Sequence, residues 1–357
     1  MKIGIVLHPY GEDQPAGLAR TIFELTKGML TVDKENEYII FLKRKPRVIP
    51  ELPGTNWKVH VLGEGLFWLN NLRSAPQCDV ILFNTPVLPF GYKPKRSVVL
   101  ALDFAYYYFP PRGFKAKLLN RFTFWVHKRS LRRADGIIAI SEATKKDTVS
   151  LFGIAPEKIR VVLCGFKNVC ASSEKVVPLP EKFFLFVGVM KERKNVFNVV
   201  RAFRQISEKY PNYMLVLGGR AQGAYVETMK RYIRREGIEA RVRWIGHLND
   251  HELSYVYRRA YALVFASFIE GFGYPVLEAM ACGIPVITSK TTSLGEICQN
   301  DSALLVDPAR TDEIASAMER LITESPLSHM LIRNGQEQVK KFSWEKAGKE
   351  MIEAIRI

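Results

Sequence analysis

Short β-branched or apolar runs alternate with helical patterns along nearly all of the 357-residue chain, and this alternation constrains the fold more than any other feature. Runs at Met1–Leu7, Glu37–Leu42, Trp57–Leu62, Val80–Phe83, Ser97–Leu102, Gly136–Ile140 and Ile159–Leu163 read as buried strands. After the first run comes a polar Gly/Pro loop, then Leu18, Ile22, Leu25 and Met29 at helical spacing. A second series begins at residue 183, with strands predicted at 183–187, 213–217, 242–245, 262–266 and 285–288 and helices between them. Strands joined through helices pair in parallel, so the chain is read as α/β with two parallel sheets.

The chain is long enough for two domains at ~150 residues each, and 47% hydrophobic residues supply two cores. Polar and small residues from Asn168 to Pro180 mark the expected linker. The domains are therefore placed at 1–170 and 178–340, with a helix over 341–357. In open parallel sheets ligands bind beyond the carboxyl ends of the strands, so two facing Rossmann-like domains would enclose an interdomain cleft. No apolar run approaches the ~18 residues that cross a bilayer. The chain opens directly on a strand, so no signal peptide is expected. Five scattered cysteines without zinc-type spacing fit a reduced, cytoplasmic protein.

The net charge of +16 first suggests a nucleic-acid partner. Its distribution points elsewhere: residues 1–177 carry 27 Lys/Arg against 15 Asp/Glu, and residues 178–357 carry 25 against 21. Much of the excess is concentrated in residues 112–133, with eight Lys/Arg and no acid. There Leu118, Leu119, Phe122, Trp125 and Val126 recur at helical spacing. Two readings stay open. The segment lies on an anionic membrane surface, or it packs Phe122 and Trp125 inward and solvates its charges. No recognised nucleic-acid fold appears, so no nucleic-acid partner is expected.

The densest chemistry lies in "YALVFASFIEGFGYPVLEAMACGIPVI", residues 261–287. A buried strand runs into a loop holding Gly271 and Gly273, Pro275 suits a helix start, and Gly283 ends that helix. Unpaired backbone N–H groups at such a start suit an anionic diphosphate. Glu278 near the first turn suits ribose hydroxyls, and Glu270, in the loop, suits a sugar. Taken alone, the pair reads as a strand–turn–helix whose Glu278 favours the helix dipole.

The surrounding motifs change that reading. "EGFGYPVLEAMACGIPVI" resembles the signature of retaining GT-B glycosyltransferases of the GT4 group (glycosyl transferases group 1). In order, "FLFVGVMKERKNVFNVVRAF", "LVLGG", "VRWIGHLNDHELSYVYRRAYALVFAS", "SLGEIC", "ALLVDP" and "FSWEKAG" also resemble that group, as does "RRADGIIAISEATKKDTVSLFGIAPEKIRVVLCG" in the first half. The resemblance implies a donor nucleotide sugar on the second domain and an acceptor on the first, with transfer retaining anomeric configuration. By matching position, Glu270 lies against the donor sugar and Glu278 holds the ribose. Phe272, Gly273 and Tyr274 offer backbone groups to the sugar and phosphate. Gly188 ends the first strand of the second domain, and Arg193 and Lys194 after it neutralise the diphosphate. No Asp-x-Asp motif occurs, so neither metal nor other cofactor is expected.

The sequence also departs from the family. Val189 stands where many members have arginine, and the "RKN" branch supplies Arg193 instead. Leu102 replaces the histidine of a His-Asp pair, leaving Asp103, and His8 after the first strand is a second acceptor-side candidate. The first-loop glycine pair is reduced to Ala16-Gly17, where Gly17 still permits close approach to phosphate. The expected function is hexosyl transfer to a glycolipid, lipid-carrier-linked or polysaccharide acceptor. The resemblance of "ERKN" to the family's "RKN" branch implies GDP-mannose, with UDP-glucose, UDP-GlcNAc or UDP-galactose as the alternative. A catalytically silent sugar-nucleotide-binding subunit is the reading from another class. The C-terminal helix is expected to cross back to the first domain.

Overall fold

The computed structural model describes residues 1–8, 17–46, 49–171 and 175–356. The chain divides into two compact units, Met1–Gly165 with Phe342–Ile357, and Phe166–Lys341.

The first unit holds β1 (Lys2–Val6), β2 (Glu37–Leu42), β3 (Trp57–Val61), β4 (Val80–Phe83), β5 (Ser97–Ala101), β6 (Gly136–Ala139) and β7 (Ile159–Val161). All pair in parallel, in the order β3-β2-β1-β4-β5-β6-β7. The central strands are buried along their whole length, as continuous apolar runs require when both faces are covered. The connections include α1 (Gly17–Val32), α2 (Ala105–Tyr108), α3 (Phe114–Arg133) and α4 (Glu142–Phe152). Ile22, Leu25 and Met29 bury the inner stripe of α1. Ser141 caps α4 through the Thr144 amide, and Gly153 closes it in the left-handed conformation. Helix α3 behaves differently: only Val126, Ser130 and Leu131 are buried. Phe122 and Trp125 are 55% and 52% exposed, which removes the reading that packed them inward.

The second unit holds β8 (Lys182–Val187), β9 (Tyr213–Gly218), β10 (Val242–Gly246), β11 (Ala262–Phe265), β12 (Val286–Ser289) and β13 (Leu304–Val306), parallel in the order β10-β9-β8-β11-β12-β13. Its helices are α5 (Val196–Ser207), α6 (Ala224–Arg235), α7 (Asp250–Arg259), α8 (Tyr274–Ala281), α9 (Thr292–Ile297), α10 (Thr311–Thr323) and α11 (Ser325–Val339). Asn249 and Glu252 start α7 with a reciprocal capping box.

The chain then returns to the first unit, where α12 (Trp344–Arg356) packs on α1. Contact is backbone to backbone: a Cβ on Gly28 would lie 2.3 Å from the Trp344 carbonyl oxygen, and one on Gly348 2.4 Å from the Gly28 carbonyl carbon.

Two expectations need correction. The boundary falls at Gly165/Phe166, before the polar stretch expected as linker. Val169–Ala171 form a 3-10 turn held in the second unit, where Arg258 donates to the Cys170 carbonyl at 2.5 Å. Polar composition marks exposure to water, and such a segment can still be tethered; residues 172–174 of it lie outside the described residues. Nor are all five cysteines free thiols. Cys170 and Cys282 form a disulfide across 112 residues, a separation at which sequence spacing carries no sign of pairing. Cys78, Cys164 and Cys298 are buried and stand outside this disulfide.

Candidate functional site

In the second unit, strand order alone explains why residues distant in sequence meet. From β8 the chain winds outward through β9 and β10, then returns to place β11 on the other side of β8. The loops at the carboxyl ends of β8 and β11 therefore adjoin at the reversal point of the sheet, where such folds open a ligand crevice. The β8 loop carries Arg193 and Lys194; the β11 loop carries Glu270.

These three residues form one cluster. Lys194 Nζ lies 2.5 Å from Glu270 Oε1, and Arg193 approaches Oε2 at 3.5 Å. The Glu270 side chain is 8% exposed and that of Lys194 15%. Arg193 also donates to the Ile269 carbonyl at 3.1 Å, and Lys194 lies over the Phe265 ring at 5.0 Å. Two cations against one carboxylate leave a net positive charge, and the short contact is of the charge-assisted kind.

The scaffold around the cluster was not legible in the sequence. Asn195 is 2% exposed and left-handed, with φ 56°, a conformation Asn tolerates better than most residues. Its amide donates to the carbonyls of Ala266 (2.9 Å) and Pro308 (2.6 Å), tying the cationic turn to the end of β11. From the β12 side, Ser289 donates to the Ser267 carbonyl and Ser293 to that of Glu270. The one advance signal was an Asn placed where a turn passes into a helix.

Gly188 follows β8 with φ 149°, and its carbonyl oxygen lies 2.0 Å from where a Cβ on Gly219 would sit, so glycine is required for that backbone approach. Gly273, at φ 121°, precedes α8; a Cβ there would meet Leu294 at 2.6 Å. Pro275 lies in the first turn of α8. Phe272 is 3% exposed, and its ring centroid is 5.3 Å from that of half-buried Tyr274. Glu278 is buried on α8, where Tyr257 from α7 donates to Oε2 at 3.1 Å and also reaches the Pro275 carbonyl. Burial and the adjacent carboxylate push the Tyr257 hydroxyl far above its ordinary pKa, so it stays a donor. Sequence reasoning did not find Tyr257.

In the first unit the sheet reverses between β1 and β4. His8 follows β1, and the side chain of Asn84, just after β4, donates to its carbonyl. Asn84 is 1% exposed, and its Oδ1 is buried with no hydrogen-bond partner among the described residues. The His8 ring lies edge-on to Trp68 at 5.2 Å. Asp103 sits one strand further out, after β5, and accepts from the Ala105 amide at the start of α2. Leu102, at the expected histidine position, is buried, and its carbonyl accepts from Thr144. Gly17 opens α1, while Ala16 and the rest of that loop lie outside the described residues. Reversal-point geometry thus adds Asn84 to the candidates. Among the described residues no group of three or more His, Cys, Asp or Glu is arranged to hold a metal ion.

Comparison with known proteins follows the same division. Residues 17–167 match the model described as Glycosyltransferase Family 4, and residues 171–338 the model described as Glycosyl transferases group 1. The O-antigen chain mannosyltransferase B of Escherichia coli is 29% identical over 238 residues, covering 64% of this chain and 62% of that protein. The alignment thus spans less than two thirds of that relative. Among solved structures, the sucrose-phosphate synthase of Thermosynechococcus elongatus superposes with TM-score 0.76 at 19% identity, over 99% of this chain and 98% of that one. Anabaena HepE in complex with UDP gives 0.75 at 19%, covering all of both chains. With both halves matched in order and the two parallel sheets of such structures in place, the chain belongs to the GT4 glycosyltransferases (glycosyl transferases group 1) and has the GT-B fold.

Proposed function

We propose that the protein is a retaining glycosyltransferase that moves a hexose, with GDP-mannose the first-choice donor, to a glycolipid, lipid-carrier-linked or polysaccharide acceptor. The observation that carries the reading is the Arg193–Lys194–Glu270 cluster at the β8/β11 reversal point. When the bond between the sugar and the diphosphate breaks, charge develops on the departing phosphate oxygen. Arg193 and Lys194 are in place to meet that charge. Glu270, held by both cations, offers its carboxylate oxygens to the sugar hydroxyls. Glu278 presents its carboxylate to ribose hydroxyls, and the α8 N-terminus offers backbone N–H groups to the phosphates. On the acceptor side, His8, Asp103 and Asn84 border the carboxyl edge of the first sheet.

Mannose is favoured by the O-antigen mannosyltransferase relative and by the Arg-Lys-Asn turn. A UDP-hexose is the second reading, favoured by the UDP-bound HepE neighbour. The acceptor is read as lipid-borne and the protein as peripheral on the cytoplasmic face of a membrane, because the basic helix α3 exposes its apolar side chains. A panel of GDP-mannose, UDP-glucose, UDP-GlcNAc and UDP-galactose, followed by thermal shift and by release of nucleoside diphosphate, tests the donor. At a hundredfold excess over Kd the true donor adds about 2.7 kcal/mol to stability. Stabilisation by none of them sinks the proposal; stabilisation without turnover on any acceptor leaves a silent binding subunit.

A further inference from the structure

The exposed apolar side chains of the first unit are not scattered singly. Phe114, Leu118, Phe122 and Trp125 follow the i, i+4, i+8, i+11 spacing of a single helix face on α3, and all four are more than half exposed, Phe114 at 84%. Two other segments continue the face. Phe90 stacks on Trp125 at 6.1 Å, and Phe122 stacks on Trp125 at 5.8 Å. Phe67 meets Phe90 edge-on at 6.0 Å, and its neighbour Leu66 is 88% exposed. Three stretches of chain thus converge on one continuous apolar surface. Soluble proteins seldom leave such a surface uncovered.

Charge indicates the cover. Residues 112–133 carry eight Lys/Arg and no acid. Lys117, Arg121 and Lys128 flank the apolar face by helical spacing, and the Arg129 guanidinium sits 4.3 Å over the Phe90 ring. A second copy of the chain would bring the same cations against themselves, which disfavours a symmetric contact. A single-stranded nucleic acid would use the aromatic rings but leave Leu66, Leu118 and Leu119 without a stacking role. An anionic lipid surface satisfies both components, acyl chains taking the apolar groups and headgroups the cations.

We propose that Leu66–Phe67, Phe90 and the exposed face of α3 form a single insertion surface for anionic lipid bilayers. The inference deepens the membrane part of the proposed function, and it is tested without any sugar donor. Full-length protein is co-sedimented with phosphatidylcholine vesicles and with phosphatidylcholine/phosphatidylglycerol vesicles at low salt. Three variants are compared: Phe122→Ser/Trp125→Ser, Phe67→Ser, and Arg121→Glu/Lys128→Glu. Wild type is expected on the anionic vesicles and largely absent from the neutral ones. The double aromatic variant is expected to bind more weakly by about a hundredfold or more, as loss of two inserted rings predicts. Phe67→Ser, outside α3, is expected to weaken binding as well, and the charge-reversal pair to abolish the preference for anionic lipid. All variants should keep the wild-type melting temperature and nucleotide-sugar stabilisation, which separates loss of docking from loss of fold. Absence of wild-type binding to anionic vesicles overturns the proposal, as does binding unchanged in Phe122→Ser/Trp125→Ser. So does a concentration-dependent dimer, seen by light scattering, that the aromatic variant abolishes. None of these outcomes bears on donor binding: failure here removes the membrane reading and leaves the glycosyl-transfer reading standing, whereas failure of the donor panel leaves this surface untouched.

Discussion

Glu270 is a nearly buried carboxylate held by two cations, and removing either side has different consequences. Taking Lys194 away leaves a buried charge with, among the described residues, Arg193 at 3.5 Å as its remaining ion-pair partner, and breaking such a pair typically costs about 3–5 kcal/mol. Lys194→Met is therefore expected to lower the melting temperature as well as turnover. Glu270→Gln keeps the shape and removes the charge, so it should fold and still bind the nucleotide sugar while turnover falls about 100-fold or more. Melting curves and nucleoside diphosphate release read both effects; near-wild-type turnover for Glu270→Gln would remove that residue from the chemical step. The charged members of this site were legible because their chemistry is written in their residue types. Asn195, Tyr257 and Asn84 were not, since each acts through carbonyls or carboxylates that only the folded chain brings near.

Among the elements, strands were the easier part of the sequence, because buried parallel strands are unbroken apolar runs. The two sheets contain the predicted strands with ends moved by a residue or so. What periodicity did not reveal was how closely α12 approaches α1. Two glycines, 28 and 348, let the backbones touch. A methyl group at position 348 would have to push backbone aside. Gly348→Ala is expected to destabilise the first unit by roughly 1–3 kcal/mol even though alanine is the better helix former. A urea melt that shows Gly348→Ala as stable as wild type would contradict that packing. Helix α3 was the ambiguous element: its spacing fitted either a buried or a membrane-facing stripe, and only its position in the first unit removed the inward-packed reading.

For the molecule as a whole, stability should be sensitive to mild acid. Burial lowers the pKa of His127 on α3 from 6.5 to about 4, and its Nδ1 lies 2.7 Å from the Tyr106 hydroxyl. Above pH 6.5 the ring is neutral folded or unfolded, and this contribution is fully present. Between pH 6.5 and 4 the unfolded chain takes up a proton that the folded one refuses, so stability falls with pH at up to ~1 kcal/mol per unit. Denaturant melts across that window should show the slope in wild type and a shallower one in His127→Gln; identical slopes would exclude His127 as the source.

Some properties of this protein follow from sequence alone. Alternating apolar runs and amphipathic helices determine parallel sheets, because each such strand must be covered on both faces by its crossovers. Glycine- and charge-bearing loops at strand ends give the chemistry that suits an anion, because backbone N–H groups and cations are local features. Tertiary structure decided the rest. Strand order set β8 beside β11, which joined Arg193 and Lys194 to a glutamate 76 residues beyond Lys194. Close packing returned the last helix to the first unit, paired Cys170 with Cys282, and left the basic helix with its rings facing water. These are relations between distant residues, and a reading limited to neighbours along the chain does not contain them.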